Sequence, residues 1–234
     1  MPAPRPRPAH PIVVAIDGPA GAGKSTAARR LAGMVGYRLL DTGALYRTVA
    51  LLARRRGTSW DDEPALAAIA AGLDVEFRLD DMTNRLFVDG EDLSSAIRTP
   101  EVSQGSSIVS ALPGVRAALL GLQRRLGGEG GVVAEGRDVG TVVFPSAGAK
   151  FFLTASDEVR AQRRQDELRA AGVQADFQST MSEMQRRDQR DATRQAAPLV
   201  CAPDAVVLDS SALTIDEVVK RMFEVVKERE VGTG

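Results

Sequence analysis

The segment Gly18-Pro19-Ala20-Gly21-Ala22-Gly23-Lys24-Ser25-Thr26 fits the spacing G-x-x-x-x-G-K-[ST]. The chemistry that needs this spacing is capture of a nucleoside triphosphate. Glycines let successive backbone N–H groups turn inward on the β-phosphate, and the helix that follows adds the positive end of its dipole. Lys24 is placed to bridge the β- and γ-phosphates, and the Ser25 hydroxyl is available to Mg²⁺. The apolar run at residues 12–16 ahead of the loop supplies the strand that the motif requires. A second apolar run, Gly131-Val132-Val133-Ala134, ends in Glu135, the candidate acid facing the metal. The alternative for Glu135 is a strand-end charge in water. Gly136-Arg137-Asp138 follow, at the carboxyl end of a strand, where open α/β sheets bind ligands.

Other chemistries are poorly supplied. One cysteine, Cys201, and one histidine, His10, allow neither an internal disulfide nor a zinc site, so a reducing, cytoplasmic setting is expected with Cys201 as an inert packed thiol. A net charge of −1 argues against a nucleic-acid or membrane-binding surface. No apolar run approaches the roughly 18 residues needed to cross a bilayer. Residues 1–11, rich in Pro and Arg, read as a disordered tail without the apolar stretch of a secretory signal. The only asparagine, Asn84, is followed by Arg85, so the N-K-x-D element that reads guanine is missing. Of the 30 basic residues only four are lysine, which leaves 26 arginines, side chains that bind phosphate bidentately and stay charged.

These residues need a frame. Apolar runs at 12–16, 38–40, 131–134, 151–153 and 205–208 read as buried strands, and helical spacing between them implies a parallel sheet covered on both faces. Val115, Leu119, Leu122 and Leu126 form an apolar stripe behind Pro113, and Thr214 with Glu217 forms a capping box ahead of a last helix. Two stretches break the alternation. Residues 73–77 and 85–88 predict a small antiparallel hairpin with a turn at 80–84. Residues 156–194 carry many Arg, Asp, Glu and Gln and few apolar side chains, which suits a solvated helical pair or a mobile lid.

The phosphate loop, Asp41-Thr42-Gly43-Ala44-Leu45-Tyr46-Arg47, Ile97-Arg98-Thr99-Pro100-Glu101-Val102, Glu135-Gly136-Arg137-Asp138 and Arg187-Asp188-Gln189-Arg190-Asp191 occur in that order. With these motifs the chain resembles the bacterial cytidylate kinases from about residue 12 to the C-terminal helix. The resemblance implies an α/β P-loop fold with a five-stranded parallel sheet flanked by helices. A monophosphate-binding insertion with a small antiparallel β element is expected at about 62–107, and a helical lid at about 156–194, within a kinase domain spanning 12–234. It implies that ATP with Mg²⁺ phosphorylates CMP or dCMP, UMP being a poorer acceptor. A monomer is expected on other grounds, because the sequence shows no long unpaired apolar stripe.

By the same resemblance, Arg47 and Arg137 hold the acceptor phosphate with Asp41 and Thr42 beside it. Ser107, Arg116, Asp138 and Arg194 surround cytosine, and Arg187 and Asp191 lie near the sugar. Arg160, Arg164 and Arg190 are lid arginines for the ATP phosphates. Ser25 stands where a few members carry glycine. Two readings compete: a P-loop kinase for another small acceptor such as UMP or dTMP, and a nucleotide-binding regulatory module without transfer activity. The presence of Lys24, Glu135 and Arg137 speaks against the second.

Overall fold

The computed structural model describes residues 11–80, 83–128, 130–170 and 172–231. Apart from Pro11, the expected tail at 1–11 lies outside the described residues. The chain runs β1 (Val13–Asp17), α1 (Lys24–Val35), β2 (Arg38–Asp41), α2 (Thr42–Arg55), α3 (Glu63–Ala71), β3 (Val75–Asp80), β4 (Thr83–Val88) and β5 (Glu91–Asp92). It continues with α4 (Pro100–Val109), α5 (Pro113–Gly127), β6 (Val132–Glu135), β7 (Ala149–Thr154), α6 (Asp157–Ala170), α7 (Phe177–Thr193), β8 (Val206–Asp209) and α8 (Ile215–Val231).

Helix starts follow local chemistry. The Asp41 carboxylate accepts the Ala44 N–H at 2.9 Å and opens α2, and Asp176 accepts the Ser179 N–H at 2.9 Å and opens α7. Thr214 and Glu217 form the expected reciprocal cap: the Thr214 hydroxyl accepts the Glu217 N–H at 3.3 Å, and the Glu217 carboxylate accepts the Thr214 N–H at 2.8 Å.

The apolar runs pair into one five-stranded sheet of order β2-β6-β1-β7-β8, parallel throughout. Successive strand residues face opposite sides, and β1 divides accordingly. Val14 and Ile16 join Leu31 and Val35 of α1 and Met222 and Val226 of α8 in one core. Ala15 faces the other way, with Leu40, Val132, Ala134 and the Val143–Phe144 region. Beyond that face α2 to α5 build a further core around Leu45, Val49, Leu66, Val102 and Leu119.

The antiparallel element is a three-stranded sheet, β3-β4-β5, and not a simple hairpin. Asp89 and Gly90 both have positive φ, 49° and 81°, and reverse the chain so that Val88 faces Glu91 and Phe87 faces Asp92. Asp-Gly is the dipeptide that such a turn favours. Residues 156–194 form two helices, α6 and α7, that pack together with Arg160, Ala161, Thr180, Met184 and Asp191 buried. Their inner face is polar as well as apolar, which is why the composition understated what they bury. Among the described residues no single helix is long and apolar enough to cross a membrane.

The sole tryptophan ties the helical layer together. Trp60 donates from its indole N–H to the Ala50 carbonyl at 3.0 Å, and its ring lies flat on Gly105 of α4, where an added Cβ would stand 2.4 Å from a ring carbon. Replacing Gly105 by Ala is therefore expected to destabilise the fold by about 1–3 kcal/mol, the scale of overpacking. Urea unfolding checks this: the midpoint should fall with the slope unchanged, and an unchanged midpoint would mean that Trp60 gives way freely.

Candidate functional site

Because the sheet is parallel, strand ends gather on one edge. The register sets Asp41 of β2 and Ile16 of β1 on either side of Glu135, with Asp17 one residue further on. The phosphate loop leaves β1 at Gly18, whose φ of 144° and a hypothetical Cβ only 2.0 Å from the Leu153 carbonyl oxygen admit no side chain. Lys24 opens α1, is buried, and donates from Nζ to the Pro19 carbonyl at 2.6 Å. Ser25 Oγ donates to Glu135 Oε2 at 2.9 Å, and Thr42 Oγ1 donates to the Glu135 carbonyl at 2.7 Å. The loop, β6 and the start of α2 are thereby stitched together around Glu135, by its carboxylate and its carbonyl.

Cations converge beside it. Arg47 on α2 donates to Asp41 at 2.6 Å and leaves its Nε buried without a partner. Arg137 donates from Nε to Asp191 of α7 at 2.8 Å. Arg187, on the same helix, also has a buried Nε without a partner. Burial, followed by the charge of Arg137, pulls its pKa down to about 10, and the charges of Arg47 and Arg164 push the same way. Lys24 is lowered by burial and then by Arg137. Glu135 is raised by burial and then by the neighbouring Asp41, against the pull of Lys24. Burial works to raise Asp191, yet Arg137 and Arg187 outweigh it and hold its carboxyl below the usual range.

A second cluster stands next to the first. Asp138 receives Nη2 of Arg116 on one oxygen and Nη2 of Arg194, at 3.2 Å, on the other. Arg116 is held further by the Ser110 carbonyl at 3.1 Å and lies 5.4 Å from the centre of the Tyr46 ring, and Arg194 donates to the Ala197 carbonyl at 2.6 Å. Ser107 Oγ is buried and has no partner.

The three arginines expected in the lid part company. Arg160 is buried against the Ala20 carbonyl, Asp157 and Asp188. Arg164 is about one-third exposed and pairs with Glu167 at 3.0 Å. Arg190 is exposed.

Several neighbours of these groups were not singled out by their sequence spacing. Asp17 accepts the N–H groups of Val139 and Gly140 at 2.8 and 2.7 Å and so fixes the wide π-helical turn Val139–Val143 that follows Asp138. Its place at the end of β1, directly before the loop, was the only hint. Asp188 sits inside the quoted Arg187–Asp191 motif. Arg163, which donates to Ser210 Oγ and the Ser210 carbonyl at 2.9 and 2.8 Å, helps enclose a cavity of about 380 Å³ on the outer side of the phosphate loop. Gly21, Thr26, Glu167, Leu213 and Ile215 also line it. The loop motif supplies only one wall of that cavity, and the others come from distant segments that no local motif marks.

Comparison with known proteins bears on the whole chain. The sequence profile of the cytidylate kinase family matches residues 14–228. Cytidylate kinase of Syntrophotalea carbinolica is 52% identical over 219 residues, covering 94% of this chain and 93% of the relative. That of Geobacter sulfurreducens is 49% identical over 222 residues, covering 95% of each. Among solved structures, an uncharacterized protein from Eubacterium ventriosum superimposes with a TM-score of 0.53 at 11% identity, covering 92% of this chain and 98% of that one, which speaks to the fold alone.

Burial raises the Asp17 carboxyl from its ordinary 3.8 to about 6, although two N–H bonds and Lys24 oppose the shift. A carboxyl raised on folding contributes stability that is complete below its unfolded pKa and is lost as pH rises through the folded one. Relative to Asp17→Asn, the wild-type chain should thus lose about 2–3 kcal/mol between about pH 4 and pH 6, at ~1.36 kcal/mol per unit. Urea unfolding of both proteins across that range measures it, and a difference independent of pH would contradict the assignment.

Proposed function

The chain belongs to the cytidylate kinase family, and from that premise we propose how its own residues divide the transfer of the γ-phosphoryl group of ATP to CMP. The observation that carries the division is the convergence of Lys24, Arg47, Arg137 and Arg187: the charges of Arg137 and Arg187 depress Lys24, and those of Arg137 and Arg47 depress Arg187. Asp41, Asp191 and Glu135 answer these cations only in part, and the triphosphate of ATP meeting the phosphate of CMP would supply the remaining anionic partners.

Lys24 and the N–H groups of the loop 18–26 would take the β- and γ-phosphates. Arg47, Arg137 and Arg187 would take the CMP phosphate, with Asp41, Thr42 and Asp191 orienting them or the sugar. Because a phosphate monoester is already an anion at neutral pH, it attacks without a general base, and catalysis reduces to alignment and charge neutralisation. That fits a site without histidine. The charge of Arg164 already reaches Arg187, so it is the lid arginine best placed to join the transferring group. No contact supports the same for exposed Arg190.

The Ser25 hydroxyl and the Glu135 carboxylate, 2.9 Å apart, are hard oxygen ligands of the kind Mg²⁺ accepts alongside phosphate oxygens and water. When bound, the ion would neutralise charge on the β- and γ-phosphates and hold Glu135 ionised. The cavity beside Arg163 has the size and the apolar wall, from Leu213 and Ile215, that suit the adenine ring. The same reading takes the chain as a cytoplasmic monomer acting on free CMP and dCMP, with neither nucleic acid nor membrane as partner; a net charge of −1 supports this.

Cytosine recognition falls to Asp138, Arg116, Arg194 and Ser107. Each oxygen of Asp138 is engaged by one arginine and keeps a free lone pair. A carboxylate there accepts the N4 amino group of cytosine and repels the O4 of uracil. The arginines would face O2 and N3. Replacing Asp138 by Ala would strand two buried guanidinium groups, so Asp138→Asn is the informative variant. In an ADP-release assay with CMP and with UMP, its ratio of kcat/KM should fall by about 5- to 150-fold, equivalent to ~1–3 kcal/mol of base-edge discrimination. Equal loss on both acceptors would leave Asp138 as a mere support for its arginines.

A further inference from the structure

One residue of the phosphate loop is gripped from outside the loop at both of its backbone polar groups. Arg160 of α6 and Asp188 of α7 form an ion pair whose side chains are 7% and 18% exposed. Arg160 Nη1 donates to the Ala20 carbonyl at 3.0 Å, while Asp188 Oδ1 accepts the Ala20 N–H at 3.2 Å. Arg160 also donates to the Ala155 carbonyl at 3.2 Å and to Asp157. Four of its five donors are therefore engaged within the protein, and its guanidinium is not presented to a nucleotide. The neighbouring Gly21, with φ of 72°, is pressed by the same two helices: an added Cβ would lie 2.6 Å from Met184 Cε and 2.9 Å from the Arg160 carbonyl oxygen.

Helix α7 reaches the other half of the site as well. Arg187 directly precedes Asp188, and Asp191, about one turn further on, holds Arg137 at 2.8 Å. A single rigid helix thus touches the phosphate loop through residue 188 and the acceptor-side cations through 187 and 191.

We propose that Arg160 and Asp188 are a positioning pair through which an occupied acceptor site sets the conformation of the phosphate loop, so that CMP and MgATP each bind more tightly in the presence of the other. This rests on the reading that Arg137 and Arg187 hold the CMP phosphate. A phosphate drawn between those guanidinium groups fixes α7. Asp188 is carried with the helix and, together with Arg160, holds Ala20 by its N–H and its carbonyl, so the loop meets ATP already aligned. By linkage the effect is reciprocal: ATP held by an aligned loop favours the α7 position that receives CMP. Arg160 acts here through Ala20 and not on the ATP phosphates, which differs from the role implied by the family resemblance.

If the clasp served stability alone, breaking it would lower the melting temperature and leave the coupling between the two ligands intact. The decisive experiment is calorimetric titration of the full chain with the non-hydrolysable analogue AMP-PNP and Mg²⁺, with and without saturating CMP, for wild type, Asp188→Asn and Arg160→Lys. The wild-type chain should bind the analogue about 5-fold or more tightly when CMP is present, and the variants should keep their affinity for CMP alone while the enhancement falls toward 1. Full enhancement in a folded variant, or none in the wild type, overturns the proposal. Hydrogen exchange on the wild-type chain gives a reading that needs no variant: CMP alone should slow the amides of residues 20–22, and unchanged exchange there overturns it too. Failure of the wild type to bind CMP would bring down the acceptor-site reading with it, whereas CMP binding without coupling overturns the pair's role only.

Discussion

Burying like charges side by side is unfavourable, and the structure around Lys24, Arg47, Arg137 and Arg187 is organised to sustain it. Burial opposes the charges of Lys24 and Arg187, and repulsion from neighbouring cations adds to it. The opposition is met locally: Asp41 holds Arg47, Asp191 holds Arg137, and Glu135 draws on Lys24. Removing one partner of such a buried pair typically costs about 3–5 kcal/mol, because the remaining charge is left uncompensated. The carboxylates are therefore as necessary to the site as the cations. What they leave unanswered, including the buried and unpartnered Nε atoms of Arg47 and Arg187, is capacity for a phosphate oxygen.

The sheet delivers these groups to one edge. With β6 inserted between β2 and β1, the carboxylates of Asp41 and Glu135 and the loop after Asp17 share a single rim. Asp17 then anchors the turn after Asp138 by two backbone N–H groups, so the phosphate-loop strand and the Asp138 cluster are braced against each other. The lid helices add their part through polar contacts and little apolar area. Such contacts are easily remade, which would suit the lid motion proposed for this segment.

Much of this was legible in the sequence, for reasons that differ from element to element. The five parallel strands were visible because strands buried on both faces read as unbroken apolar runs, and the fifteen-residue α5 because its stripe follows a proline. Glu135 and Ser25 could be paired because a strand end and a loop motif each have a fixed place in an α/β sheet. The third strand of the small sheet, only two residues long, was missed although Asp89-Gly90 marked its turn. Asp17, Asp188 and the cavity walls at Arg163 and Leu213 were missed for a deeper reason. Their partners lie more than 100, 160 and 40 residues away along the chain, and pairings of that span leave no local pattern. Arg160 shows the limit most clearly: the family resemblance put it in the lid toward the ATP phosphates, but only the fold shows that it faces Ala20 and two carboxylates.

The central claim is that one set of cations holds the triphosphate of ATP and the phosphate of CMP end to end. Titration with a single molecule in which adenosine and cytidine are joined through five phosphates tests it most directly. Linking the two ligands turns the second binding event into an intramolecular one, so this analogue should bind at least about 10²-fold more tightly than AMP-PNP or CMP alone. Replacing Arg187 by Gln should remove most of that gain. Binding no tighter than that of AMP-PNP, or a gain indifferent to Arg187, would contradict the account.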